Sequence, residues 1–264
     1  MKQFEKQIAV VTGAARGIGA GIADALANQG AIVYVCDILE SVGAELVAQL
    51  QEQGLQAHFQ KLDVTSEADW QALVQRIRAD HGRLDILVNN AGIMRTGGIE
   101  DVSFEQYKQV MSISADGTYL ALKNMVDLLK ARTPETPQAA VVNVASIGAL
   151  RGAAFALSYA ANRAAVVSMT NSAALDWASR KYSIRVNAVL PGSVRTELSQ
   201  QTLEELMKTG MTLEQAIAYM TSLHPIGRLG TVDDVAQAVI YLASSNASFI
   251  TGTALTVDGG RTAG

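Results

Sequence analysis

Three glycines stand at G-x3-G-x-G spacing in Thr12-Gly13-Ala14-Ala15-Arg16-Gly17-Ile18-Gly19, between a short apolar run and a helical pattern. Glycine permits positive φ and close approach of the backbone to a ligand. A helix beginning at such a turn presents free N–H groups and partial positive charge, which suit a pyrophosphate. A tight strand–helix turn with no ligand would use the same glycines. Asp37 argues for the ligand. It ends the next apolar run, 18 residues after Gly19, where a carboxylate accepts hydrogen bonds from both ribose hydroxyls of an adenosine and repels a 2′-phosphate. Arg16 pulls toward that phosphate, but Ile38, next to Asp37, brings no second cation. NAD is therefore expected rather than NADP. Cys36, the single cysteine, reads as buried strand packing.

The elements that must position these groups alternate in kind. Apolar, β-branched runs recur at Ile8–Val11, Ile32–Val35, Ile86–Val88, Val141–Val144, Ile184–Val189 and Ala254–Val257, with His58–Val64 a weaker strand. Most are apolar at nearly every position, as strands covered on both faces are. Between them, Ile18, Ile22, Ala25 and Leu26, and again Trp70, Leu73, Val74 and Ile77, step at helical spacing. Ser66 to Asp69 reads as a capping box with the Asp69 carboxylate reaching back, and Thr231 to Asp234 repeats it before a helix at Val235–Leu242. Strand–helix alternation implies right-handed βαβ units and an α/β, doubly wound parallel sheet. A single domain over residues 1–264 is expected, with a helical or irregular insertion at about 193–228 and a surface loop at Thr133–Pro137.

With these features in register, the chain resembles the short-chain dehydrogenase/reductase family over almost its whole length. Thr12 to Gly19 resembles the family's cofactor turn, Asp63-Val64 its adenine contact, and Asn89-Asn90-Ala91-Gly92 its fourth-strand motif. Ser146 and Tyr159 match its catalytic serine and tyrosine. Pro191-Gly192 with Val194 and Thr196 resembles its nicotinamide-side loop, and His224 to Gly230 and Thr251 to Gly260 its C-terminal signatures. The resemblance implies a Rossmann-type sheet of seven parallel strands with helices on both faces. It also implies homotetramers, formed through two long helices (here Gln106–Ala131 and Leu157–Lys181) and the last strand.

Two positions depart from the family pattern. Tyr-x-x-x-Lys becomes Tyr159-Ala160-Ala161-Asn162-Arg163, and the asparagine of the fourth helix becomes Ser114. In the family the tyrosine exchanges a proton with the alcohol or carbonyl oxygen, and the serine orients that oxygen. A phenol ionises near pH 10 in water, and positive charge beside it favours the phenolate. Residue 163 lies on the same helix face as Tyr159, four positions on, so Arg163 keeps the charge and can hold a ribose hydroxyl. A guanidinium, however, does not give up its proton. The family's lysine and asparagine help pass protons to solvent through water, so with Arg163 and Ser114 that relay is expected to be rewired or impaired.

The family assembles its substrate site from three stretches. One follows Gly92 and includes Met94 and Arg95. A second, between Ser146 and Tyr159, includes Gly148 and Phe155. The third opens at Ser193 and supplies Leu198, Leu203, Leu206, Met207, Met211 and Met220. Mostly apolar, they suit a secondary alcohol or ketone with a hydrophobic body, although the third stretch would also suit a helical hairpin packed on itself or on another subunit. Glu204-Glu205 and Asp233-Asp234 read as solvated helix starts. His58, His81 and His224 are too far apart to suggest a metal site.

Composition narrows the classes. With 49% hydrophobic and 17% charged residues the chain can bury a core, and a net charge of −4 disfavours a nucleic-acid partner. One cysteine excludes a disulfide framework. The polar stretch Met1–Gln7 and the lack of about 18 consecutive apolar residues exclude a signal peptide or membrane span, so a cytoplasmic location is expected. The leading expectation is an NAD-dependent secondary-alcohol dehydrogenase or ketone reductase. Two others stay open: an NAD-binding sensor or scaffold with weak turnover, and a non-redox enzyme on the same fold.

Overall fold

The structure, a computed structural model, describes residues 2–131, 138–152 and 154–264; the loop expected at Thr133–Pro137 lies outside the described residues. Seven strands form one parallel sheet in the order β3-β2-β1-β4-β5-β6-β7. They are β1 Ile8–Thr12, β2 Ile32–Asp37, β3 Ala57–Lys61, β4 Ile86–Asn89, β5 Ala139–Val144, β6 Ile184–Pro191 and β7 Ala254–Val257. Every residue of β1, β4, β5 and β6 is buried, which accounts for runs without alternation.

Helices cover both faces. Ala9 and Val11 of β1 pack with α1 (Gly17–Asn28), α2 (Glu40–Glu52) and α9 (Val232–Ala243), while Ile8 and Val10 pack with α3 (Glu67–Asp80), α5 (Gly117–Lys130) and α6 (Leu157–Ser179). The remaining helices are α4 (Phe104–Met111), α7 (Glu197–Lys208) and α8 (Leu213–Ser222); α7 and α8 make up most of the expected insertion. The helix expected at Gln106–Ala131 is interrupted by a π-helical turn at Ser112–Asp116. Its extra residue per turn rotates Ser114 and Ala115 into the interior.

The caps are largely as the residues suggest. Thr231 and Asp234 form a full capping box on α9, and the Arg228 guanidinium beside Asp234 holds its carboxyl well below the usual carboxylate range. At α3, Ser66 accepts from the Asp69 amide, but the Asp69 carboxylate takes the Asp63 amide and the Ser66 hydroxyl instead of the Ser66 amide. That amide is already donated to the Asp63 carbonyl. Buried Arg185 on β6 donates to the carbonyls of Leu242, Ala243 and Ser244, closing the C-terminus of α9.

Candidate active site

In open parallel sheets, ligands bind beyond the carboxyl ends of the strands where the strand order reverses. That point here is the gap between β1 and β4. Thr12, the last residue of β1, accepts from the Asn90 and Ala91 amides through Oγ1, and the Asn90 side chain donates to the carbonyls of Thr12 and Gly13. Asn90 therefore locks the turn after β1 onto the end of β4. It stood in a motif read from sequence without being singled out, because its partners belong to a distant strand.

The turn itself needs its glycines. Gly13 and Gly17 have φ of 59° and 58°. A β-carbon on Gly13 would lie 2.8 Å from Ala91 Cα, and one on Gly19 would lie 2.1 Å from the Gly13 carbonyl oxygen. Gly19 thus brings α1 close against the turn; it does not face the cleft. Arg16 occupies the N-cap of α1 without capping it through its side chain, so the first-turn amides remain available to a ligand. Its guanidinium pairs instead with Glu197 of α7, 3.1 Å away. Asp37 accepts from the Ala15 and Leu39 amides, one on each oxygen, and a carboxylate has lone pairs for further donors.

A cleft of about 1430 Å³ runs from this turn over the ends of β4, β5 and β6. Gly13, Arg16, Gly17, Ile18, Asp37, Asp63, Val64, Ala91 and Gly92 line it, as do Ser146, Tyr159, Arg163, Pro191, Gly192, Val194 and Thr196. So do Met94, Arg95, Gly148, Phe155, Ser193 and Leu198. Six other residues nominated from sequence do not: Gly19, Asn89, Ser114, Leu203, Met207 and Met211. Asn89 donates to Asn143 Oδ1, and Asn143 donates in turn to Thr170 Oγ1, so it ties β4 to β5 and α6 beneath the cleft. Met207 falls on the outer side of α7, whose inner side presents Leu198, Thr202, Glu205 and Leu206. Glu204-Glu205 is likewise no helix start: the pair sits in the third turn of α7, where Glu205 lines the cleft and accepts from Thr96 Oγ1 at 2.9 Å. The Lys208 ammonium, hydrogen-bonded to it, holds the Glu205 carboxyl below its ordinary range. Cys36 is fully buried in β2, and burial pushes its thiol pKa up.

The reacting end is compact. Ser146 follows β5 and accepts from the Gly148 amide, capping a short 3-10 turn at Ile147–Ala149. Its hydroxyl proton is left to donate. A β-carbon on Gly148 would be 3.6 Å from Ser146 Oγ and 3.8 Å from Tyr159 Cδ1, so the serine and tyrosine share one small neighbourhood. Tyr159, in the first turn of α6, carries the Arg163 guanidinium over its ring at 4.9 Å from the centroid, within range of a cation–π interaction. Arg163 is 4% exposed and donates through Nη1 to the Val144 carbonyl at 3.0 Å. A β-carbon on Gly92 would lie 2.2 Å from Arg163 Nη2 and 3.0 Å from Ser114 Oγ. The guanidinium therefore fits because residue 92 has no side chain and residue 114 has a small one. Ser114 Oγ is enclosed behind it with no hydrogen-bond partner among the described residues.

The loop after β6 is held by a histidine. His224 Nε2 accepts from the Ser193 amide at 3.1 Å, and Nδ1 faces the Met220 carbonyl at 2.8 Å. That pairing requires the neutral ring with its proton on Nδ1. Across the cleft, the Gly97 amide donates to the carbonyl of Phe155, a residue held at a φ of 60°. Such a conformation in a side-chain-bearing residue is sustained only when its surroundings impose it.

A family model described as Enoyl-(Acyl carrier protein) reductase matches residues 13–262. The chain is 36% identical to cyclopentanol dehydrogenase of Comamonas sp. (strain NCIMB 9872) over 263 residues, covering 100% of both chains. It is 39% identical to cis-4-hydroxycyclohexanecarboxylate dehydrogenase of Sinomonas cyclohexanicum over 262 residues, covering 98% of both. The crystal structure of gox2181 superposes with a TM-score of 0.89 at 29% identity, covering 99% of this chain and 98% of that one.

Proposed function

The chain belongs to the short-chain dehydrogenase/reductase family, and from that premise we propose that it interconverts a secondary alcohol and a ketone with NAD(H), Tyr159 serving as the acid and base. One observation carries the reading. The same cleft joins a glycine turn at an uncapped helix start, the Asp37 carboxylate and the Ser146–Tyr159 pair. The names of the relatives suggest a cyclic alcohol, and the apolar part of the lining suits one.

The residues fit a dinucleotide. The amides of Gly17 and Ile18 would hold the pyrophosphate, Asp37 the adenosine ribose, and Asp63 and Val64 the adenine. Ala91, Gly92, Pro191, Gly192, Val194 and Thr196 would enclose the nicotinamide end. When bound, the nicotinamide supplies the hydride acceptor or donor. Ser146 donates a hydrogen bond to the substrate oxygen and orients it. Tyr159 removes the alcohol proton during oxidation and returns it to the carbonyl oxygen during reduction. Arg163, fixed by Val144, keeps positive charge beside the phenol in either direction and offers N–H groups to the nicotinamide ribose. A second reading, NAD binding with weak turnover, draws on the enclosure of Ser114, whose hydroxyl has no partner among the described residues to pass a proton to.

The distinguishing experiment follows NADH formation from a panel of cycloalkanols, with NAD and NADP binding measured by calorimetry. Turnover with NAD is expected. NAD binding without turnover would favour the second reading, and no binding of either coenzyme would remove both. Asp37→Ser should lower kcat/KM with NAD by about tenfold, as loss of one charge-assisted hydrogen bond does, and should narrow the preference over NADP. An unchanged preference would show that Asp37 does not select the coenzyme.

Subunit association through α5, α6 and β7 is part of the proposal. Tyr119 on α5, Leu175 on α6 and Phe249 just before β7 are exposed large hydrophobic residues, and a tetrameric mass by light scattering is expected. The buried thiol of Cys36 has no need of an oxidising compartment and suits the cytoplasm; among the described residues no helix is long and apolar enough to cross a membrane.

A further inference from the structure

Nine cations among the described residues have an anionic neighbour. Arg16, Lys61, Arg76, Arg83, Lys123, Lys130, Arg180, Lys208 and Arg228 all sit in ion pairs. Among the described residues four arginines on the cleft wall do not: Arg95, Arg151, Arg163 and Arg261. Arg163 lies over the Tyr159 ring and Arg95 donates to Gln109, which sets Arg151 and Arg261 apart. Arg151 and Arg261 both line the cleft, and among the described residues neither has a carboxylate at ion-pair distance. The chain nevertheless fixes them in place. Arg151 donates through Nη1 to the Arg261 carbonyl at 2.8 Å, and Arg261 donates through Nη1 to Ser193 Oγ at 2.9 Å.

Their place in the fold is informative. Arg151 lies two residues beyond the turn that Ser146 caps, and Ser193 follows the Pro191-Gly192 pair at the end of β6. The two guanidinium groups therefore join the loops that flank Ser146 and Tyr159. They stand apart from the adenosine end, which Asp37 and Arg16 mark. The acid whose charge acts on Arg261, Asp258, is already engaged: its oxygens accept from the Gly260 amide at 3.0 Å, the Thr262 amide at 2.9 Å and Thr262 Oγ1 at 2.6 Å. Arg261 is partly buried, and burial lowers its pKa. The Asp258 charge offsets only part of that burial, and an incoming anion relieves the cost that is left. Glu197 and Glu205, also on the wall, are neutralised by Arg16 and Lys208. The same wall carries Phe155, Tyr219, Met220 and Leu223.

We propose that the substrate is a hydroxy acid: a secondary alcohol on an apolar body, with a carboxylate at its far end bound between Arg151 and Arg261. This rests on the dehydrogenase reading given above and adds the substrate's charge to it. Arginine's planar fork suits a carboxylate held by two parallel hydrogen bonds. Ser193 orients one side of the Arg261 fork and leaves the rest of it for the ligand.

The test uses hydroxycycloalkane carboxylates of graded spacing between carbinol and carboxylate, each beside its uncharged carboxamide, with saturating NAD. For the best-spaced pair, kcat/KM for the carboxylate should exceed that for the carboxamide by about 10- to 100-fold, the range for charge-assisted hydrogen bonds. In Arg261→Gln and in Arg151→Gln that ratio should fall toward one, mainly through KM, and Arg261→Lys should recover part of it. Melting temperatures report whether each variant folds. A ratio near or below one in the native enzyme overturns the proposal, as does a ratio that neither substitution moves. Oxidation of neutral cycloalkanols without any carboxylate preference overturns it and leaves the dehydrogenase reading standing. If no alcohol of either series is oxidised, both fall.

Discussion

Replacing Tyr159 with phenylalanine is expected to lower kcat by roughly 100- to 10,000-fold, the span over which a positioned acid or base acts. The substitution removes one oxygen and leaves the ring. That ring is what the Arg163 guanidinium lies over, and Arg163 is held separately by the Val144 carbonyl. The positive charge, the turn at Gly13 and the Asp37 carboxylate therefore stay in place. Calorimetry should still detect NAD binding, and the melting temperature should change little, since the Tyr159 hydroxyl makes no hydrogen bond among the described residues that would be lost. Pre-steady-state mixing with NAD and alcohol should show no fast phase of NADH formation. Turnover within about tenfold of the native enzyme would mean that another group, or water, exchanges the proton, and the role given to Tyr159 would be wrong.

The parts of this site legible in the sequence are those set by local chemistry. A parallel strand buried on both faces has to be apolar throughout, so Ile8–Val11 and Val141–Val144 announce themselves. The positive φ of Gly13 and the close packing at Gly19 forbid side chains, so those glycines stand out too. Long-range pairing is less visible. Nothing near Asn90 in the chain shows that its amide closes on Gly13, and nothing near Arg261 shows that it returns to Ser193 and Arg151. Helical phase matters as well. One residue of rotation puts Leu206 on the cleft side of α7 and Met207 on the outer side, a difference that an apolar list cannot register. The π-helical turn at Ser112–Asp116 breaks the period from which the phase of a long helix would be read. It is also what carries Ser114 inward, behind the guanidinium.

That arrangement bears on Ser114 and Arg163, the two positions at which the sequence is expected to depart from the family pattern, and the geometry couples them. Nη2 of Arg163 and Oγ of Ser114 both lie within 3.0 Å of the point a Gly92 β-carbon would occupy. The bulk gained at residue 163 is thus accommodated beside the bulk absent at residue 114. Ser114→Asn alone adds two heavy atoms to a site that is full. It should push the guanidinium off the Tyr159 ring and cost about 10- to 100-fold in kcat/KM, the effect of overpacking by about 1 to 3 kcal/mol. Arg163→Lys alone exchanges the planar fork for a narrower ammonium, loses the fixed donation to Val144 and leaves a gap, with a fall of about tenfold. The double variant installs the lysine–asparagine pair that the resemblance implies for passing protons through water. Its turnover should equal or exceed that of the native chain, so that the two losses fail to add by about 3 to 4 kcal/mol, as for residues sharing one space. The four enzymes of this cycle, assayed with one alcohol at saturating NAD, separate the possibilities. A double variant above the native chain means that Arg163 and Ser114 impair the relay; one equal to it means that they rewire the relay without loss. A double variant as weak as the product of the singles would show that the two residues are independent and that the small serine is no accommodation of the large arginine.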